Sequence, residues 1–284
     1  MNTLQTSEFI VNLAPTGMVP TRKSSASVPL QPDEIVADVL SCAETGMTSV
    51  HLHARDENGF PTHRKDIYAR IIGGIRDKRP DLVIGVSCSG RLGATLEQRS
   101  EVLTLEGDLR PDMASLTLSS LNFPGSASIN SPETVKSLAY EMRSRGIKPE
   151  FEIFDLGMAS VLRYLVERNL VDPPFYANLM LGNLASAQAN FLDIGCLSAA
   201  LPPDTTYCFG GIGRFQIAVA GLAVAAAPGV RIGLEDNLWL DSNQSVPASN
   251  TSLIRKVHAL AAIHERKIMT PNELRRRINL RSFL

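Results

Sequence analysis

The chain has 284 residues, 44% of them hydrophobic, and a net charge of -1. That balance suits a folded core and excludes an intrinsically disordered chain. The scattered basic residues leave no nucleic-acid footprint, and the longest apolar run, Gln216 to Val230, is too short to span a bilayer. That run is Ala-rich and stops at Pro228-Gly229, so it reads as a buried helix. The start, "MNTLQTSEF", lacks the basic residues and apolar stretch of a signal peptide. Cys42, Cys88, Cys196 and Cys208 form no CxxC pair, which suits reduced thiols in a cytoplasm, at least three of them acting as small buried apolar residues.

In chain order, eight β-type runs begin at Phe9, Ser49, Leu82, Met113, Glu150, Phe175, Tyr207 and Val230. Helical patterns alternate with them: "PDEIVADVLSCAETG", "KDIYARIIGGIRDKRP", "SPETVKSLAYEMRSRG" and "MASVLRYLVERNL". Pro32-Asp33-Glu34 opens the first of these and Gly46 closes it; Gly146 closes another. Strict β-α alternation with eight strands predicts an α/β fold with a parallel sheet closed into a (β/α)8 TIM barrel. A doubly wound sheet would show a Gly-rich phosphate loop after the first strand, and "APTGMVPTR" does not fit one. A last helix from Val246 and a short basic one in "MTPNELRRRINL" complete the chain. Residues 1–284 are therefore expected to form a single barrel domain with a C-terminal helical extension.

In such a barrel the chemistry lies at the C-terminal ends of the strands. Polar residues gather at those positions here: His51 and His53, Ser87 and Ser89, Ser115 and Thr117, Glu152, Asn178, then Arg231, Glu235 and Asp236. His51 and His53 occupy alternate positions of one apolar strand and so share a face. They hold either a metal ion or a pair of core hydrogen bonds. Adding Glu235 gives two histidines and one carboxylate, a common catalytic zinc set with open positions for water or substrate. The competing role for Glu235 is an ion pair with Arg231. Asp236, beside that carboxylate and near Arg231, has the chemistry of a general base; the alternative is a structural Asp-Arg pair at the rim. Ser87, Ser89, Ser115 and Thr117 are candidate donors to an oxygen-rich substrate, or ordinary strand-end turn residues. The glycines of "FGGIGRFQ" allow close backbone approach to an anion or simply make a tight turn.

Read together and in order, "APTG", "VPLQPDEI", "VHLHARD", "MASLTLSSLNFP", "PEFEIFDLGM", "GGIGRFQ", "VRIGLEDN" and the late "ASN" resemble the β-keto acid cleavage enzymes, typified by 3-keto-5-aminohexanoate cleavage enzyme. The resemblance implies a zinc-bearing (β/α)8 barrel, usually a homotetramer. It implies condensation of a β-keto acid with acetyl-CoA, giving acetoacetate and a new acyl-CoA. The zinc ligands then fall on His51, His53 and Glu235 and the base on Asp236, with Arg231 beside it. Ser87 and Ser115 would meet the substrate oxygens, and Glu152 would lie in the pocket. Two departures bear on the substrate. Members acting on an amino-bearing acid carry a glutamate in the loop after strand one, where this chain has Val19. "SCSGR" replaces the usual Thr-Gly-Gly and introduces Arg91. The expected substrate is therefore a neutral or anionic β-keto acid. The runner-up activity is a metal-dependent aldolase or lyase that cleaves a keto acid without CoA. Small acids and acetyl-CoA are the expected partners, with no nucleic acid and no membrane.

Overall fold

The computed structural model describes residues 7–283. Eight parallel strands form the barrel: β1 (Glu8–Leu13), β2 (Ser49–Leu52), β3 (Val83–Val86), β4 (Met113–Thr117), β5 (Lys148–Ile153), β6 (Phe175–Leu181), β7 (Thr205–Gly211) and β8 (Gly229–Ile232). Each pairs in parallel with the next, and β8 pairs back onto β1, Val230 opposite Val11 and Arg231 opposite Asn12, so the sheet closes. All eight start at or within two residues of the positions the sequence pattern marks. Helices cover the outside: α1 (Pro32–Thr45), α2 (Lys65–Arg76), the single-turn α3 (Leu96–Ser100), α4 (Pro132–Ser144), α5 (Leu156–Glu167), α6 (Phe191–Ala200), α7 (Gln216–Ala226) and α8 (Asn250–Ile263). A last helix, α9 (Pro271–Arg277), follows them.

Local chemistry explains several of these boundaries. Pro32 starts α1 where no backbone donor is needed, and the Glu34 carboxylate accepts from the Gln31 N–H at 3.1 Å. Gly46, at φ +109°, ends it. The Asp155 carboxylate caps α5 by accepting from the Met158 N–H at 2.9 Å. α8 begins at Asn250 rather than Val246, because Ser249 supplies its cap. α7, the apolar run of the sequence, packs Val219, Ala220, Ala223 and Val224 into the core; among the described residues no helix is long and apolar enough to cross a membrane.

Two apolar regions position the site. The larger lies between strands and helices and consumes the outward faces of the strands. The smaller is a plug inside the barrel: Ile10, Val83, Met113, Tyr176 and Cys208 point inward, and Met269, Leu274 and Ile278 close it from below. The C-terminal extension thus seals the barrel floor. Asp112 anchors it there, accepting two bonds of 2.8 Å from Arg275 and one of 2.7 Å from Arg76. Among the described residues the lower end is filled, which leaves the top of the barrel for ligands.

Candidate metal centre and active site

Directly above the plug the barrel interior turns polar. Asn12, Ser49, Glu150 and Asn178 are all fully buried and bonded to one another. Asn12 Nδ2 and Asn178 Nδ2 donate to Glu150 Oε1 at 2.9 and 2.7 Å, and Ser49 Oγ donates to Asn12 Oδ1 at 3.0 Å. The other oxygen of Glu150 lies 2.7 Å from His51 Nδ1. Burial alone would push the Glu150 carboxyl up, but His51, Arg231 and these donors bring it down to about 2. It is therefore a fixed anion, and it holds a proton on His51 Nδ1. Burial opposes a charged His51; Glu150 outweighs it and raises the imidazole above its usual range.

That arrangement turns His51 Nε2 toward the mouth of the barrel, where it is buried without a hydrogen-bond partner. His53 stands beside it, ring centroids 5.2 Å apart, and its Nε2 lies 3.2 Å from Glu235 Oε1. Glu235 Oε2 is likewise buried and unpartnered. Ligand atoms of His51, His53 and Glu235 all fall within 4.8 Å of one another. Buried polar atoms without partners are costly, and here two of them converge beside a third ligand. Two imidazoles and a carboxylate are a donor set suited to a divalent transition metal such as zinc, so these residues fit one. Glu150 is then the outer partner that orients His51, as carboxylates do behind metal-bound histidines.

His53 and Glu235 reach the cluster from beyond the strands. β2 ends at Leu52 and β8 at Ile232, so simple strand alternation does not carry Glu235 to the site. The loop after β8 does so instead. The Glu235 N–H donates to Ala14 O at 3.1 Å and the Leu234 N–H to Asn250 Oδ1 at 2.9 Å. Gly17 passes so close that a Cβ there would sit 2.5 Å from Glu235 Cγ, and its φ of +65° favours glycine.

Arg231, 2% exposed, is the electrostatic centre. Its Nη2 donates to Glu235 Oε1 at 2.6 Å and its Nε to Asp236 Oδ2 at 3.0 Å, while Nη1 lies 3.5 Å from Glu152 Oε1. Glu235 is thus both an ion-pair partner of Arg231 and a potential ligand, one oxygen for each. Burial pushes the Asp236 carboxyl up to about 6 against the pull of Arg231. A carboxyl near that value can take and return a proton at neutral pH.

Above the cluster lies a cavity of about 340 Å³. It is lined by His53, Ser87, Ser89, Thr117, Glu152, Arg231, Glu235 and Asp236, and by Val19, Arg91 and a set of apolar side chains. His51 sits just beneath. Ser115 is buried beneath as well, where its Oγ accepts from the Cys88 N–H at 3.0 Å. Thr117 donates to Glu152 Oε2 at 2.7 Å, so its hydroxyl also fixes that carboxylate.

A model of the beta-keto acid cleavage enzyme family matches residues 8–280. The chain belongs to that family. Among relatives, it is 35% identical over 280 residues to the 3-oxoadipate:acetyl-CoA acetyltransferase of Cupriavidus necator, covering 98% of this chain and 96% of that one. It is 32% identical over 275 residues to the 3-keto-5-aminohexanoate cleavage enzyme of Fusobacterium nucleatum, covering 96% and 98%. Of solved structures, the ternary complex of ObcA with a C4-CoA adduct and oxalate superposes with a TM-score of 0.75 at 20% identity, over 90% of this chain and 68% of that one. At that identity the likeness concerns the barrel alone.

Two buried residues that shape the site in this beta-keto acid cleavage enzyme family member are not marked by strand-end polarity. Glu150 lies one alternation below Glu152 in "EFEIFD", deeper in the barrel than the strand end, and the i, i+2 pairing of the two carboxylates is the signal that marks it. Arg55 is the other. It is 2% exposed and donates to Gly17 O at 3.0 Å, Pro20 O at 2.9 Å and Gly59 O at 3.1 Å, pinning the loop that carries Val19. Its place in "HLHARD" after the two histidines was the available signal.

Proposed function

We propose that the chain catalyses cleavage of a β-keto acid with acetyl-CoA as co-substrate, yielding acetoacetate and a new acyl-CoA. The observation that carries this is the convergence of His51 Nε2, His53 and Glu235 beneath a cavity whose wall holds the Arg231–Asp236 pair. A zinc ion held by His51, His53 and Glu235 would polarise the keto and carboxylate oxygens and acidify the carbon between them. Asp236, held in place by Arg231 Nε, removes a proton from that carbon. The carbanion attacks the acetyl thioester carbonyl and expels the CoA thiolate. The thiolate then attacks the original keto carbon, the C–C bond breaks, and Asp236 returns the proton to the departing acetoacetate carbon. Ser87 and Ser89 line the cavity and would donate to substrate oxygens, and Thr117 holds Glu152, whose Oε1 lies 3.5 Å from Arg231 Nη1. Ser115 supports the Ser87–Ser89 turn through the Cys88 N–H.

Val19 supports a substrate tail without an amino group, since no carboxylate stands at that position. The names of the relatives, a 3-oxoadipate transferase and an aminohexanoate cleavage enzyme, support the reaction class. We further propose one barrel domain over residues 1–284, a cytoplasmic location, supported by four free cysteines, and a homotetramer. The exposed apolar side chains of Leu184, Phe191 and Leu192 around α6 support an assembled state. A panel of β-keto acids with and without acetyl-CoA, combined with metal analysis of the purified protein, tests the proposal. Turnover without acetyl-CoA, or preference for an amino-bearing acid, would overturn it.

A further inference from the structure

Two guanidinium groups face the cavity, and they differ in one respect. Arg231 has its charge met by three carboxylates: it hydrogen-bonds Glu235 and Asp236, and Glu152 lies 3.5 Å from its Nη1. Arg91 has no hydrogen bond or ion pair to its guanidinium among the described residues. Its Cζ instead sits 3.4 Å from the centroid of the Phe123 ring, so its planar face is occupied and its N–H edges are free.

This placement is built rather than incidental. Phe123 lies on the hairpin of Leu121–Phe123 and Ser126–Ser128, and it packs edge-on against Phe154 with centroids 5.6 Å apart. The Arg91 backbone bridges to Ser128 of that same hairpin, so ring and guanidinium are held by one unit. The bridge needs Gly90: a Cβ there would meet Ile129 O at 2.4 Å. The next turn is secured by the Arg91 N–H donating to Ser89 Oγ at 3.3 Å. Burial disfavours the Arg91 charge, while Glu235, Glu152 and Asp236 support it without touching it; the net pull on its pKa is downward. A partly desolvated cation with idle donors is relieved by an anion brought in from outside.

We propose that Arg91 binds a second carboxylate at the far end of the substrate, making the preferred substrate a β-keto dicarboxylic acid. The same cavity is lined by Leu121, Phe123, Phe154, Met180 and Ile212, apolar side chains that suit a methylene spacer. The inference rests on the β-keto acid activity proposed above and narrows its substrate class.

The test compares adipate with hexanoate, unreactive acids of equal length, by calorimetric titration of zinc-loaded protein. Wild type binds adipate roughly 10- to 150-fold more tightly than hexanoate, the range for a charge-assisted hydrogen-bonded pair. Arg91→Met, which keeps the stem on Phe123, erases that ratio, and Arg91→Lys restores part of it. In turnover, the kcat/KM ratio of the six-carbon β-keto diacid over the six-carbon β-keto monoacid collapses by a similar factor, mainly through KM. Equal affinity of wild type for the two acids would overturn the inference. So would an unchanged ratio in Arg91→Met with a raised KM for acetyl-CoA, which would assign Arg91 to CoA instead. If wild type discriminates adipate yet turns over no β-keto acid, the proposed reaction fails and the second carboxylate site stands.

Discussion

Asp236 and Glu150 are both buried carboxyls, and their surroundings drive them in opposite directions. Two amide donors and an imidazole pull Glu150 down to about 2 against burial, while burial, aided by the neighbouring Glu235, outweighs Arg231 and pushes Asp236 up to about 6. The first is a permanent anion, suited to orienting a ligand; the second is suited to moving a proton. Asp236→Asn should therefore lower kcat by about 100- to 10,000-fold, the usual worth of a general base, with bound zinc unchanged. Loss of zinc in that variant would move Asp236 from catalysis to the metal shell. Glu150→Gln should weaken zinc binding by about 10- to 100-fold, as removal of an outer carboxylate generally does. Competition with a chromogenic chelator measures this, and an unaltered affinity would show that His51 needs no such partner.

At the scale of elements, the loops after β1 and β8 act as one unit. Glu235 is carried by backbone bonds to Ala14 and by Asn250, which also donates to Pro15 O at 3.1 Å and to Asp38 at 2.7 Å. Gly17 is a point of close approach between the loops, against the Glu235 side chain itself. Gly17→Ala should displace Glu235, so zinc content should fall while the circular dichroism spectrum stays that of the barrel. Retention of full zinc content would refute the close-contact argument. At the opposite end, α9 is tied to the floor by Asp112. Burial would raise that carboxyl, but Arg275 and Arg76 hold it below its ordinary value. A depressed folded pKa gives stability that is fully present above the unfolded value of about 4 and lost as pH falls through the lower folded value. Asp112→Asn leaves two buried arginines short of a counter-charge and should cost about 3–5 kcal/mol in urea unfolding at pH 7. The gap between variant and wild type should narrow below pH ~4; a constant gap would mean the carboxylate charge is not what matters.

For the whole molecule, the barrel is a scaffold filled below and chemically active above. An apolar plug, a polar layer built around the Glu150 anion and a charged layer succeed one another from floor to mouth, so a cation held by His51, His53 and Glu235 would bridge β2 and the loop after β8. Zinc binding to the native state alone should then stabilise the whole fold. Chelator treatment should lower the melting temperature by on the order of 10 °C relative to protein with a thousandfold excess of zinc over its Kd. Both melting temperature and turnover should recover on zinc addition. A melting curve indifferent to the chelator, in protein shown to be metal-free afterwards, would contradict this.

Much of this was legible along the chain because barrel strands are short, local and buried on both faces. Eight apolar runs between capped helices marked the strands within two residues, and His-x-His with a late Glu-Asp pair marked residues that the fold brings together at one cavity. These signals survive in sequence because alternation and capping are set by neighbours one to four residues away. What tertiary structure alone decided were meetings between distant segments. His51 and Glu150 are 99 positions apart, Arg91 finds Phe123 through a hairpin bridge, and Glu235 leaves its strand before reaching the histidines. No local pattern records which carboxylate an imidazole will face, or which arginine stays unpaired once the barrel has closed. Those outcomes depend on barrel register and loop path, which are set by the packing of the whole sheet.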